Sequence, residues 1–271
     1  MYSYHYPNHN YDQVLLVLSL TKTNSSKTSS LPLADFWHPD RNKSQKDVLF
    51  KSIGITNLAP NNTDYCFEYP TPAFKNRLSG VCLQHSKPSM TDLMILIGKE
   101  CRITIEAKYT EYVKEEGYTP YLGSWYDGAE HRKAIIQCWI DYINNSNCGK
   151  LPSAEKLLNE HPDFPYQFLH RTASACFLCE KPILVYQLFF DKDENSIQKK
   201  NNFEKLLSNY AKILKLNSNK LSFFIVETEV TNYPKKYKGN ANNIFIDIIQ
   251  NEQYKFGNEI TILNGYTLDI V

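Results

Sequence analysis

Two short apolar runs, Leu93 to Ile97 and Arg102 to Ala107, flank Gly98, Lys99 and Glu100. β-Branched residues in both runs and a short glycine-containing link make this a β-hairpin, and it narrows the possible folds more than any other stretch. Charges fall where a core strand should have none: Asp92 opens the first strand, and Glu106 and Lys108 lie in the second. Opposed residues of an antiparallel hairpin have a constant sum of indices. A link centred on Lys99 therefore sets Asp92 opposite Glu106, with thirteen residues between them in the chain. Opposed side chains share a face with Cβ atoms roughly 5 Å apart. The two-residue period adds Thr104 and Lys108 to that face and gives Ile103, Ile105 and Ala107 the other.

Two like charges side by side in a half-buried sheet repel and resist desolvation, so a cation offsets them or one is protonated. A hard divalent ion is the simplest offset. Carboxylate oxygens and water suit Mg²⁺ or Mn²⁺, and Mg²⁺ typically takes only one or two protein carboxylates together with substrate phosphate oxygens. A lysine two residues beyond the glutamate can hold or deprotonate a water and offset phosphate charge. In an exposed hairpin the same residues would form no more than a solvated Glu–Lys ladder.

At PSMTDLMILIGKECRITIEAKYTE, and specifically at Asp92, thirteen residues, then Glu106-x-Lys108, the chain resembles the PD-(D/E)XK nuclease superfamily. The resemblance covers roughly residues 80 to 190, and Thr91 stands where the family has proline. It implies an α/β fold, a restriction-endonuclease-like mixed central sheet flanked by helices, with the hairpin at its middle. It further implies Asp92 and Glu106 as metal ligands with the Ala107 carbonyl as a backbone ligand, Lys108 as the catalytic lysine, and Mg²⁺ or Mn²⁺ as cofactor. The activity implied is phosphodiester hydrolysis in nucleic acid, DNA rather than RNA, in a restriction or defence setting, by a homodimer or with a partner protein of a defence system. The alternative is a nuclease-fold module that binds nucleic acid or a partner protein without cutting it.

At 271 residues, 42% hydrophobic and 22% charged, the chain suits one globular domain. We expect a core over about 43–190, an N-terminal extension, and a basic α/β elaboration over 195–271. No apolar run approaches the roughly 20 residues of a membrane span, and the N-terminus lacks a signal-peptide layout, so a cytoplasmic protein with no membrane partner is expected. Seven cysteines, an odd number spread through apolar segments, fit reduced thiols, and Cys176-x-x-Cys179 reads as packing. The net charge is +1, yet residues 195–240 hold nine lysines against three glutamates, which leaves the remainder negative. A basic surface beside an acidic site suits a phosphate backbone, and equally a solvated face.

Flanking elements are legible to different degrees. Val14 to Leu20 fits strand or helix, Ser44 to Ser52 a helix, and most of residues 31–71 neither. Gly80 to Gln84 fits a first core strand. Residues 109–128 read as a loop over the site, with Tyr118, Tyr121, Trp125 and Tyr126 as base-stacking or core-covering aromatics. Helical spacing predicts an amphipathic helix over 129–145, a short one over 151–161, and another over 164–179. On the first, Gln137, His131 and Arg132 are candidate phosphate contacts. On the third, Gln167, His170, Arg171 and Ser174 share a face, a polar stripe that must reach solvent or a polar cleft. Lys181 to Phe190 reads as a core strand, Asp191 to Gln198 as a charged loop, and Phe203 to Leu216 as a helix. Leu221 to Val230, Ile244 to Ile249 and Glu259 to Leu263 read as strands. For a further acidic ligand the upstream choices are Glu68, which Pro70 and Pro72 keep out of any regular helix, and Asp35, Asp40 and Asp47.

Overall fold

The structure, a computed structural model, describes residues 2–4, 10–21, 29–56, 63–73, 88–98, 101–109, 121–233, 250–251 and 254–266. The elements run β1 (Tyr2–Tyr4), α1 (Tyr11–Thr21), α2 (Ser30–Phe36), α3 (Lys43–Ser52), β2 (Thr63–Thr71), β3 (Ser89–Ile97) and β4 (Cys101–Lys108). They continue with α4 (Leu122–Tyr126), α5 (Glu130–Asn145), α6 (Ala154–Glu160), α7 (Tyr166–Cys176), β5 (Lys181–Phe190), α8 (Glu194–Ile213), β6 (Ser222–Asn232) and β7 (Lys255–Asn264).

The strands form one seven-stranded mixed sheet in chain order, so the β3–β4 hairpin sits at its middle and the fold class is α/β. β2, β3 and β4 form an antiparallel meander, β4, β5 and β6 run parallel, and β1 and β7 close the edges. The parallel steps need crossovers, which α4 to α7 and then α8 provide. Leu93↔Ile105 and Ile97↔Cys101 reproduce the index sum predicted from a link centred on Lys99. Gly98 opens that link at φ 60°, a left-handed conformation that costs glycine nothing.

Alternation along the strands splits the core. Leu93, Ile95, Ile103, Ile105, Ala107, Val185 and Val226 pack against α1 to α3 and the end of α2, through Val14, Leu33, Phe36, Trp37 and Phe50. Leu184, Tyr186, Leu188, Phe223 and Ile225 pack on the other side against Trp139, Phe168, Leu169 and Leu207 of α5, α7 and α8. With helices on both faces, β4 is buried at seven of its eight positions.

Two stretches left open by the sequence are helical, and one expected loop is not a loop throughout. Val14 to Leu20 is helical, and Leu31 to Phe36, in the stretch without a clear pattern, forms α2, six consecutive residues of which are buried. The segment Asp191 to Gln198 is not a loop throughout. The side chain of Asp193 accepts the Ser196 N–H at 2.9 Å, and this cap starts α8 at Glu194, nine residues before Phe203. Gly80 to Gln84, Tyr118 and Ile244 to Ile249 lie outside the described residues. Among the described residues no helix is long and apolar enough to cross a membrane.

Candidate functional site

β4 delivers Glu106 and Lys108 to the sheet face covered by α7, and β3 delivers Asp92. The β3–β4 pairs reach Leu93↔Ile105, and one step further Asp92 stands in register with Glu106. There the Asp92 side chain takes over from the ladder: its Oδ2 accepts the Ala107 N–H at 2.9 Å. Glu106 is 0% exposed. Its Oε1 accepts from Lys108 Nζ at 3.0 Å and from Gln167 Nε2, and its Oε2 accepts from Arg171 Nε.

Gln167 and Arg171 meet Glu106 together because residues four apart on a helix share a face, and α7 lays that face on β3, β4 and β5. The polar stripe predicted on α7 is therefore buried at His170, Arg171 and Ser174 and half-buried at Gln167, and its Gln167 and Arg171 reach the sheet. His170 accepts at Nδ1 from Arg171 Nη1 at 3.1 Å. Ser174 Oγ donates back to the His170 carbonyl at 2.9 Å.

Among the described residues the two carboxylates meet cations from the chain itself. Asp92 and Glu106 face Lys108 and Arg171, so the offset demanded by two adjacent carboxylates is present as a lysine and an arginine. Burial alone would push the Glu106 carboxyl up. The Arg171 and Lys108 charges outweigh it and hold the group below its ordinary 4.5. Arg171 loses solvation too, yet Glu106 and then Asp92 keep its guanidinium more firmly charged than usual. His170 is pushed well below 6.5 by burial and by the neighbouring Arg171 and Lys108, and so is neutral near pH 7.

The structure thus gathers Asp92, Glu106, Ala107, Lys108, Gln167, His170 and Arg171. It leaves three other candidates elsewhere. Gln137 Oε1 accepts the Ala154 N–H at the start of α6, and its amide donates to Asp141. Arg132 donates to the Trp125 carbonyl and lies over the Trp125 ring. His131 is exposed at the start of α5. The covering aromatics at Trp125 and Tyr126 pack on the core, and Trp125 stacks on Tyr166 at 3.8 Å between ring centroids.

One neighbour of the site went unnamed in the sequence, and one of the upstream acidic choices proves to lie beside it. Tyr186 pairs with Glu106 across β4 and β5, and its hydroxyl is pushed well up by burial and by Glu106. Aligning the run Lys181 to Phe190 in parallel with Cys101 to Lys108 from their first residues would have found it. Glu68 is buried on β2 between the pairs Phe67↔Leu93 and Tyr69↔Thr91, in register with Asp92, at a left-handed φ of 50°. The long link from β2 to β3 hid that register. Asp35, by contrast, ion-pairs with Arg41 at α2.

The donor set, two carboxylates and a backbone carbonyl, suits a hard divalent ion in kind. Among the described residues no group of three or more His, Cys, Asp or Glu side chains is placed to hold a metal. Two carboxylates are nevertheless what Mg²⁺ uses when phosphate oxygens complete its shell.

Fold and site together define a mixed α/β protein with an Asp–Glu–Lys–Arg cluster, buried at Glu106, Lys108 and Arg171, at the centre of its sheet. The sequence profile of a family described as a domain of unknown function (DUF6946) matches residues 9–239, and the chain belongs to that family. No curated protein and no solved structure matches it.

Proposed function

We propose that the chain is a metal-dependent nuclease of the PD-(D/E)XK type, hydrolysing phosphodiester bonds of nucleic acid, with DNA the preferred substrate. The observation that carries this reading is the meeting of Asp92, Glu106 and Lys108 at one point of the central hairpin, with Gln167 and Arg171 brought to the same point by α7. The αβ order around it, an antiparallel meander followed by a parallel strand reached through helices, is in keeping with the nuclease resemblance.

Asp92, Glu106 and the Ala107 carbonyl would hold Mg²⁺ or Mn²⁺. Bound there, the ion would supply a Lewis acid for the scissile phosphate and lower the pKa of a water. Lys108, whose ammonium lies 3.0 Å from Glu106 Oε1, is placed to orient a water beside that carboxylate and to offset phosphate charge. Gln167 and Arg171 supply donors for phosphate oxygens, and neutral His170 steadies the guanidinium. We place the activity in the cytoplasm, in a restriction or defence setting, with a second copy or a partner protein.

A second reading has its own support. Both oxygens of Glu106 already receive donors from the chain, as a structural cluster would require. In that case the protein binds nucleic acid or a partner protein without cutting. Incubating purified protein with plasmid, single-stranded DNA and RNA in Mg²⁺, Mn²⁺ or EDTA separates the two. Metal-dependent cleavage lost in Asp92→Asn supports the nuclease. Retarded mobility with no cleavage in any metal supports the binding module.

A further inference from the structure

Glu106 is fully buried and receives three donors, from Lys108, Gln167 and Arg171. Lys108 and Arg171, themselves buried at 7% and 6% exposure, occupy both of its oxygens together with Gln167. A divalent ion added to this arrangement would set a further cation beside Lys108 and Arg171 and compete with them for Glu106 oxygens already in use, which is unfavourable in so buried a place. The ion can reach Glu106 only if negative charge arrives with it or Arg171 moves away.

A phosphodiester satisfies both conditions. Guanidinium binds phosphate through the same fork of N–H donors that it offers a carboxylate. The exchange needs only the side chain to turn, because α7 is fixed by its packing on β3, β4 and β5. We infer that Arg171 is a built-in counter-ion that guards Glu106, exchanging the carboxylate for a substrate phosphate, so that metal and nucleic acid bind with positive coupling. The inference rests on the nuclease reading and adds to it how the site loads.

Equilibrium binding tests it without reference to turnover. Mn²⁺ is titrated into the full chain, with and without a short DNA duplex, and the free ion is followed by its EPR signal. A duplex with neutral methylphosphonate links serves as the control. Wild type is expected to bind Mn²⁺ weakly alone and about tenfold or more tightly with DNA, a coupling of ordinary allosteric size, but not with the neutral duplex. Arg171→Met should bind Mn²⁺ tightly without DNA and show no coupling. Arg171→Lys keeps a charge but not the fork, and secures the test if the methionine variant does not fold. It should bind the ion better than wild type alone and show reduced coupling. Equal Mn²⁺ affinity with and without DNA in wild type, or undiminished coupling in both variants, overturns the inference and leaves the nuclease standing. No Mn²⁺ uptake by any protein in any arm overturns the metal reading and the inference with it.

Discussion

Replacing Arg171 by Met leaves Glu106 buried with a single cation. Removing one partner of a buried ion pair costs about 3–5 kcal/mol, because the remaining charge is stranded. Lys108 Nζ still lies 3.0 Å from Oε1, so a loss near the lower bound, about 3 kcal/mol, is expected. Glu106→Gln is nearly isosteric and strands Arg171 instead, with a similar cost. Combining the two removes both charges, and the double variant should be more stable than the sum of the singles by about 2 kcal/mol. Urea unfolding followed by circular dichroism and tryptophan fluorescence measures this, provided the transitions coincide and m is unchanged. Because the Glu106 carboxyl lies below its ordinary 4.5, the folded state binds the proton less readily than the unfolded one. Its contribution is complete above 4.5 and disappears as pH falls through the lowered folded value. The gap between wild type and Glu106→Gln should shrink accordingly. A loss under about 1 kcal/mol for Arg171→Met, or singles that add to the double within about 0.5 kcal/mol, would refute the reasoning.

Three further outcomes test the frame around the site. Trp37 Nε1 donates to Gln187 Oε1 at 2.9 Å with both residues fully buried, so Gln187→Leu should cost about 1–3 kcal/mol in urea unfolding by stranding the indole N–H. Glu204, pushed up to about 7 by burial and by Glu227, holds a proton in the fold that the unfolded chain releases near 4.5. Stability therefore falls as pH rises from 4.5 to 7, by at most about 1.4 kcal/mol per unit, and Glu204→Gln should flatten that slope. A methyl group on Gly149 would stand 2.9 Å from Ile143 Cγ2 and 3.0 Å from the Leu214 carbonyl oxygen. Gly149→Ala should lower the melting temperature, with a cost of about 1–3 kcal/mol.

The central hairpin was legible because its register depends on three adjacent residues and a period of two, both local. The same holds for α5, α7 and β5, where apolar spacing decides the element. α7 also shows the limit: Gln167, His170 and Arg171 were correctly placed on one face, but nothing local says whether that face meets solvent or Glu106. Burying it became possible only because Glu106 supplied the matching charge from 61 residues away for Gln167 and 65 for Arg171. Gln137 misled for a similar reason, since its polar line was satisfied by the start of α6. Glu68 could be named only as one acid among several, because a long connection leaves the β2–β3 register open, and α8 began early through a single aspartate cap at Asp193.

The proposed chemistry turns on Lys108 acting beside Asp92 and Glu106 on a phosphodiester. The direct measurement is the rate at which excess enzyme cuts plasmid DNA in Mg²⁺, for wild type and Lys108→Ala, with folding of both verified by circular dichroism. Expected is cutting that EDTA abolishes and that falls about a hundredfold or more in the variant, the usual scale for losing a proton-transfer or water-orienting group. An equal rate in the folded variant, or no cutting by wild type with Mg²⁺ or Mn²⁺ on DNA or RNA, would contradict it.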